Sequence, residues 1–334
     1  MTITYGAHPH GLLCGYLFTP SAGGTPLALS EAIEWLAAGQ PAEGSEFIWL
    51  HFDLSDASAQ SWMQTHLALA PEFFEALQQG SRSTRIEDAQ DNLIAVVNDV
   101  AYDFTFDPSE IATLWMSVSQ RVAVSARARP LRSIDRLREA VKQGTRFASS
   151  VELLNHLMDD QGDVLVRIVR EATLKVDSIE DTLLRGRPTH QRAELGKLRR
   201  VLVRLQRLLA PEPGALFRLL RLPPPWIAAQ DLDGMRQSTE EFSLVLRDLA
   251  ALQERIKLLQ EEIAAQVGEQ TNRSLFTLTM VTVLALPINI TTGFFGMNVG
   301  GIPFAEYRLG FATVVLMVVV FTGIAGWWAF RNRE

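Results

Sequence analysis

Two unbroken apolar runs, residues 274–295 and 310–330, dominate the carboxyl-terminal end of the chain, and neither contains an acidic or basic side chain. At about 1.5 Å of rise per helical residue, each is long enough to cross roughly 30 Å of hydrocarbon. The pair predicts a membrane hairpin, with an external loop over 298–309 and a tail over 331–334. Upstream, Pro223, Pro224 and Pro225 must end any helix that reaches them, because successive prolines remove backbone donors and disfavour helix before them. No proline follows until Pro287. One helix over 228–297 is therefore expected, serving as both stalk and first transmembrane span.

That helix carries two stripes. Met235, Phe242, Leu249, Ile256 and Ile263 recur every seven residues, with Val245, Leu252 and Leu259 between them, which marks a face packed against other helices. Roughly opposite run Glu254, Leu258, Glu261, Ala265, Gly268, Asn272, Leu275, Thr279, Thr282, Leu286, Asn289, Gly293 and Gly296. This second stripe stays small or polar inside the membrane, where a polar group facing hydrocarbon lacks partners. It is expected to face other copies of itself around a water-filled axis.

Residues 1–130 alternate short β-rich runs with helical ones. The strands are expected in GLLCGYLF, in FIWLHFD from Phe47 to Asp53, in NLIAVVNDVAYDF and in ATLWMSVSQRVAVSA, with helices at 29–39 and 58–79. This predicts a sheet with helices packed on it. Residues 131–222 have helical spacing, with breaks expected near Gly144, Gly162 and the corner from Gly186 to Pro188. The fold class is an α+β membrane protein, with an α/β/α domain, a helical layer, the stalk, and two transmembrane helices.

The net charge of −7 hides an asymmetry: residues 1–110 hold fifteen acids against two bases, Arg82 and Arg85, whereas residues 131–221 hold eighteen bases against twelve acids. Charge complementarity between subdomains accounts for this; a vestibule that concentrates cations is the functional alternative. Nucleic acid is not expected as a partner of so acidic a chain. No basic flank followed by an apolar segment opens the sequence, so no cleaved signal is expected. Arg273 precedes the first span, Arg331 and Arg333 follow the second, and the loop between carries only Glu306 and Arg308. Both termini are thus expected in the cytoplasm.

At the end of the first span stands GFFGMNVGGIP, in which Gly296, Met297 and Asn298 sit at the mouth of the hairpin. Repeated around a symmetric axis, the Asn298 carbonyl would form a ring able to hold the water shell of a divalent ion; the alternative is a residue that caps the span. Gly293 and Gly296 permit close backbone approach, or merely end a helix. Asn289 suits a pore ring or an interhelical hydrogen bond, and Thr279 and Thr282 either line the axis or bond their own helix. Leu275 and Leu286 form apolar constrictions or ordinary packing. Glu254, Glu261 and Glu306 are candidate cation-attracting acids, each with an ordinary surface reading, since Lys257 follows Glu254 and Arg308 follows Glu306. His8 and His10 have the spacing of a chelating pair, His51, His66, His156 and His190 stand alone, and Cys14 is the single cysteine, so no zinc-site spacing and no internal disulfide is visible.

Two carboxyl-terminal spans with Gly296, Met297 and Asn298 after the first resemble the CorA superfamily of divalent-cation transporters. Val299 to Pro303, VGGIP, and the run GRPTHQRAELGKLRRVLVRLQRLLAP at 186–211 are similar to its ZntB branch. The resemblance implies a funnel-shaped homopentamer of the inner membrane, with cytoplasmic α/β/α domains on stalk helices. It implies transport and not enzyme chemistry, with no cofactor beyond the transported cation, zinc foremost, held at Asn298 through its hydration shell. Nickel, cobalt or cadmium are further cargo. The partners implied are other copies of the chain and the lipid bilayer. Proton-linked uptake is associated with the branch, with efflux also proposed. A passive magnesium, cobalt or nickel channel remains open, as does a membrane-anchored sensor or scaffold.

Overall fold

The computed structural model describes residues 9–19, 22–39, 46–80, 84–89, 91–184, 191–297, 299–301, 303 and 308–331. The chain divides into two compact units, residues 1–259 and 260–334.

The first unit is built on a seven-stranded sheet. Its strands are β1 Leu12–Thr19, β2 Ala22–Pro26, β3 Phe47–Asp53, β4 Arg85–Ala89, β5 Asn92–Val100, β6 Ile111–Val118 and β7 Val122–Arg127, in the spatial order β2-β1-β3-β7-β6-β5-β4. The β3–β7 pair is parallel and every other pair is antiparallel. Strand alternation sends neighbouring residues to opposite faces, so both faces are apolar. Phe47 and Trp49 enter one core, with α4 Arg132–Lys142, the start of α5 Ser150–Leu184, α7 Pro211–Arg221 and the start of α8 Ala229–Phe295. Ile48, Leu50 and Phe52 enter the other, under α1 Leu29–Ala37, α2 Ala57–His66 and α3 Pro71–Gln79.

Four local expectations are corrected. The stretch 58–79 holds two helices, because Pro71 opens α3 at a position where its missing N–H costs nothing. ATLWMSVSQRVAVSA holds two strands, joined by a tight turn in which Ser119 N donates to the Val122 carbonyl at 2.8 Å. Strands β2 and β4 were not expected. Gly162 does not break the helical layer: α5 runs through it, and Phe242 of α8 lies 3.8 Å from where a Cβ would stand. The corner at 186–188 lies outside the described residues, between α5 and α6 Gln191–Leu209.

Within this unit α8 runs parallel to α5. Ser149 and Asn155 bond the Asp231 side chain and carbonyl at 2.8 and 2.9 Å, Asp159 accepts from Ser238, and Arg255 pairs with Asp177 at 2.7 Å and with Glu180. The heptad residues Met235, Phe242, Leu249, Leu252, Ile256 and Leu259 are all buried.

Candidate functional site

The second unit contains the remainder of α8 and α9 Gly310–Arg331, both long and apolar enough to cross a membrane. These helices meet along one face of α8. Pro287, Thr291 and Phe295 share a crevice with Thr313, Val318 and Phe321, and Leu284 and Pro287 share a second with Thr322 and Ala325. At 3.6 residues per turn, Leu284, Pro287 and Thr291 lie on one side of α8, and Thr282, Leu286, Asn289 and Gly293 on roughly the opposite side. Asn272, Leu275, Thr279, Thr282, Leu286, Asn289 and Gly293 are all exposed in the single chain. Leu286 also lines the second crevice, so α9 covers the Leu284, Pro287 and Thr291 side and reaches the edge of the stripe at Leu286, while Thr282, Asn289 and Gly293 line neither crevice.

The stripe's chemistry is mild. The Thr282 hydroxyl donates to the Leu278 carbonyl at 2.9 Å, which satisfies its proton while leaving oxygen lone pairs outward. Asn289 presents an amide without a bond from its own helix among those described, in a region where a lone amide facing hydrocarbon would be costly. Pro287 leaves the carbonyl one turn back without its usual donor, and Thr291 returns a hydroxyl to the Pro287 carbonyl at 2.7 Å. The helix ends at Phe295, Gly296 N donates to the Thr292 carbonyl at 2.9 Å, and Met297 is half-exposed. A Cβ at Gly296 would stand 3.0 Å from the Thr292 oxygen, so a side chain there would force the turn to shift. Asn298 and Glu306 lie outside the described residues.

The acids divide. Glu254, in the first unit, accepts from Lys257 Nζ at 3.0 Å, an ordinary surface pair, whereas Glu261 is exposed. Of the histidines, His8 and His190 lie outside the described residues; His51 is buried between Ser125 and Arg127, His66 bonds its own helix at Trp62, and His156 lies 3.7 Å from Asp160. Burial pushes the Cys14 thiol up to about 11, so it is a poor source of thiolate. Among the described residues no three His, Cys, Asp or Glu side chains gather as a metal cage.

A sheet domain followed in the chain by a long helix that becomes the first of two apolar helices fits the family described as CorA-like Mg2+ transporter protein, whose pattern matches residues 44–331. The chain belongs to that family. It is 28% identical over 328 residues to the divalent cation transporter CmaX of Pseudomonas aeruginosa, covering 96% of each chain. It is 27% identical over 285 residues to the zinc transport protein ZntB of Yersinia enterocolitica, covering 85% of this chain and 87% of that one. The full-length CmaX structure superposes with a TM-score of 0.80 at 26% identity, over 98% of this chain and 99% of that one. Family members carry ions and are not enzymes. Sequence reasoning missed a buried carboxyl cluster around Glu212, because nothing in a sequence marks a first-turn glutamate as buried.

Proposed function

We propose that this chain carries hydrated divalent cations, zinc foremost, through a central pore lined by the exposed stripe of α8 in a homopentamer of the inner membrane. The observation that supports it is the unequal cover of α8: α9 lies along Leu284, Pro287 and Thr291, whereas the hydroxyl, amide and glycine of Thr282, Asn289 and Gly293 lie outside the crevices it shares. A polar face left bare toward lipid would be costly, so copies of the chain cover it around an aqueous axis. Amide and carbonyl oxygens suit a cation that keeps its water, which is the role assigned to Asn298 at the outer mouth with Gly296 and Met297. Leu275 and Leu286 supply apolar constrictions, and Glu261 and Glu306 raise cation concentration at the two ends. The basic residues Arg273 and Arg331 that flank the spans favour a cytoplasmic side for both termini. Zinc as cargo rests on the ZntB relatives, and uptake in preference to efflux rests on the family likeness.

The test is zinc influx into proteoliposomes with magnesium as competitor. Wild-type protein is expected to carry zinc with excess magnesium present, and Asn298→Ala is expected to abolish flux with assembly intact. Wild-type flux from a correctly assembled Asn298→Ala would remove the mouth assignment. Absence of any flux from the wild-type oligomer would favour a membrane-tethered sensor instead.

A further inference from the structure

The first unit buries a carboxyl cluster between α5, α7 and the β4–β5 side of the sheet. Glu212, in the first turn of α7, has no exposed surface. Its Oε2 accepts from Gln161 Nε2 of α5 at 3.1 Å. Thr84, just before β4, bonds the same carboxyl, and Thr84 Oγ1 in turn accepts from Asn98 Nδ2 at 3.2 Å. Gln161 Nε2 also donates to the Asn98 carbonyl at 2.8 Å, and Thr113 Oγ1 of β6 donates to Asn98 Oδ1 at 3.1 Å. After these bonds, two fully buried acceptors, Glu212 Oε1 and Gln161 Oε1, still have no donor.

The cluster is therefore short of protons, and among the described residues it holds no cation to balance an ionised Glu212. Gln161, Asn98, Thr84 and Thr113 are neutral. Among the described residues the charged side chain that acts on Glu212 is Asp99 of β5, of like sign; its own carboxyl is engaged with Ser133 N and Val100 N, at 2.8 and 2.7 Å, and feels Arg132 of α4. A buried anion in that setting lacks both water and a counter-charge. A proton on Glu212 removes the charge and converts one orphan acceptor into a donor.

We propose that Glu212 is a proton-binding switch of the soluble domain, which holds α7 against α5 and the sheet when protonated and loosens α7 when the surrounding compartment turns alkaline. Desolvation first, and Asp99 with it, push its carboxyl up to about 8 against the bonds from Gln161 and Thr84, so the change falls in the neutral-to-alkaline range. The sign follows from linkage. A carboxyl whose folded value is raised contributes stability that is full below its ordinary 4.5 and lost as pH rises through about 8. The Asp99 carboxyl, pushed up to about 6, titrates earlier and is separable.

The experiment uses the full chain in lipid nanodiscs. Infrared titration is expected to show a protonated-carboxyl carbonyl band that persists at neutral pH and disappears with a midpoint near 8, absent in Glu212→Gln. Amide exchange in residues 211–221, corrected for intrinsic rates, should rise over the same range in wild type and stay flat in Glu212→Gln. A wild-type band lost entirely below about pH 6, within the ordinary carboxylate range, would overturn the proposal. So would identical alkaline loosening in Glu212→Gln. Should that variant fail to fold, the wild-type titration alone decides.

Discussion

Arg255 of α8 reaches Asp177 of α5 at 2.7 Å, one residue away from Ile256, a fully buried member of the heptad on α8. The neighbours make unequal contributions. The guanidinium is about 41% exposed and its partner 46%, so water and salt screen the pair, and Arg255→Ala should cost under about 1 kcal/mol and less in high salt. Ile256→Ala removes close-packed methyl groups that nothing replaces and should cost about 2–5 kcal/mol. Denaturant unfolding of the full chain at two ionic strengths checks both. Equal costs would mean that the exposed ion pair contributes as much to stability as the buried heptad residue beside it.

The stripe makes a second prediction. In a Cys14→Ser background, Thr282→Cys and Asn289→Cys should react with charged water-soluble thiol reagents, with zinc slowing the reaction. Leu284→Cys, on the side that shares a crevice with α9, should react at least about tenfold more slowly, a difference of roughly 1.4 kcal/mol in barrier. Equal labelling of both sides would place the aqueous axis elsewhere.

Much of this was legible from the sequence because the strongest signals are periodic. The heptad of Met235, Phe242, Leu249 and Ile256 and the absence of proline before Pro287 define α8 to within a residue or two of Ala229–Phe295. The strands missed are the two edges of the sheet. AGGTP and RIEDA carry glycine, proline and charge because an edge strand does not need an apolar run on both faces and gains by discouraging further pairing. Gly162 read as a break because glycine is a poor helix former, yet its neighbours and the packing of Phe242 carry α5 through it. The stripe was visible because polar residues inside an apolar run stand out. Glu212 was invisible, since an acid following Pro211 looks like any solvated first-turn residue favoured by the helix dipole.

His51 gives a pH prediction of the opposite sign to Glu212. Its Nε2 accepts from Arg127 Nε at 3.1 Å, so Nδ1 carries the proton toward Ser125 Oγ at 2.8 Å, and Trp49 Nε1 donates to the same oxygen at 2.9 Å. Burial, and then Arg127 and Arg138, hold the ring well below the ordinary value of 6.5. The unfolded chain protonates this histidine and the folded one resists, so its stabilisation is full above 6.5 and lost as pH falls. His51→Gln should melt lower at neutral pH but lose less on acidification below that value. A parallel pair of melting curves would show that His51 does not titrate on unfolding.

Metal coordination separates a hydrated ion from a caged one. If the cation travels with water and amide or carbonyl oxygens, replacing all six histidines and Cys14 should lower zinc flux only modestly, less than about tenfold, provided folding is retained. The His51 substitution alone has a stability cost, so flux is compared per folded oligomer. Complete loss of zinc flux on changing only His8 and His10 would reveal a nitrogen-ligand site that the stripe does not contain.

Proton linkage is the hardest property to place, because neither apolar run contains a carboxylate or histidine, the groups that usually carry a transported proton within a membrane. A proton-driven carrier of this sequence must move protons along pore water or titrate acids at the two ends. Glu261 is exposed on the stripe of α8 and Glu306 belongs to the loop, whereas Glu254 is engaged with Lys257 at 3.0 Å and is a weaker candidate. An imposed pH gradient at clamped membrane potential should accelerate zinc entry into proteoliposomes. Glu261→Gln combined with Glu306→Gln should weaken that acceleration while sparing basal flux, because neutral amides keep the shape and lose the titratable charge. An unchanged response in the double variant would eliminate both carboxylates and leave pore water as the proton path. A wild-type protein indifferent to the gradient would instead be a passive channel, driven by the zinc concentration and the membrane potential alone.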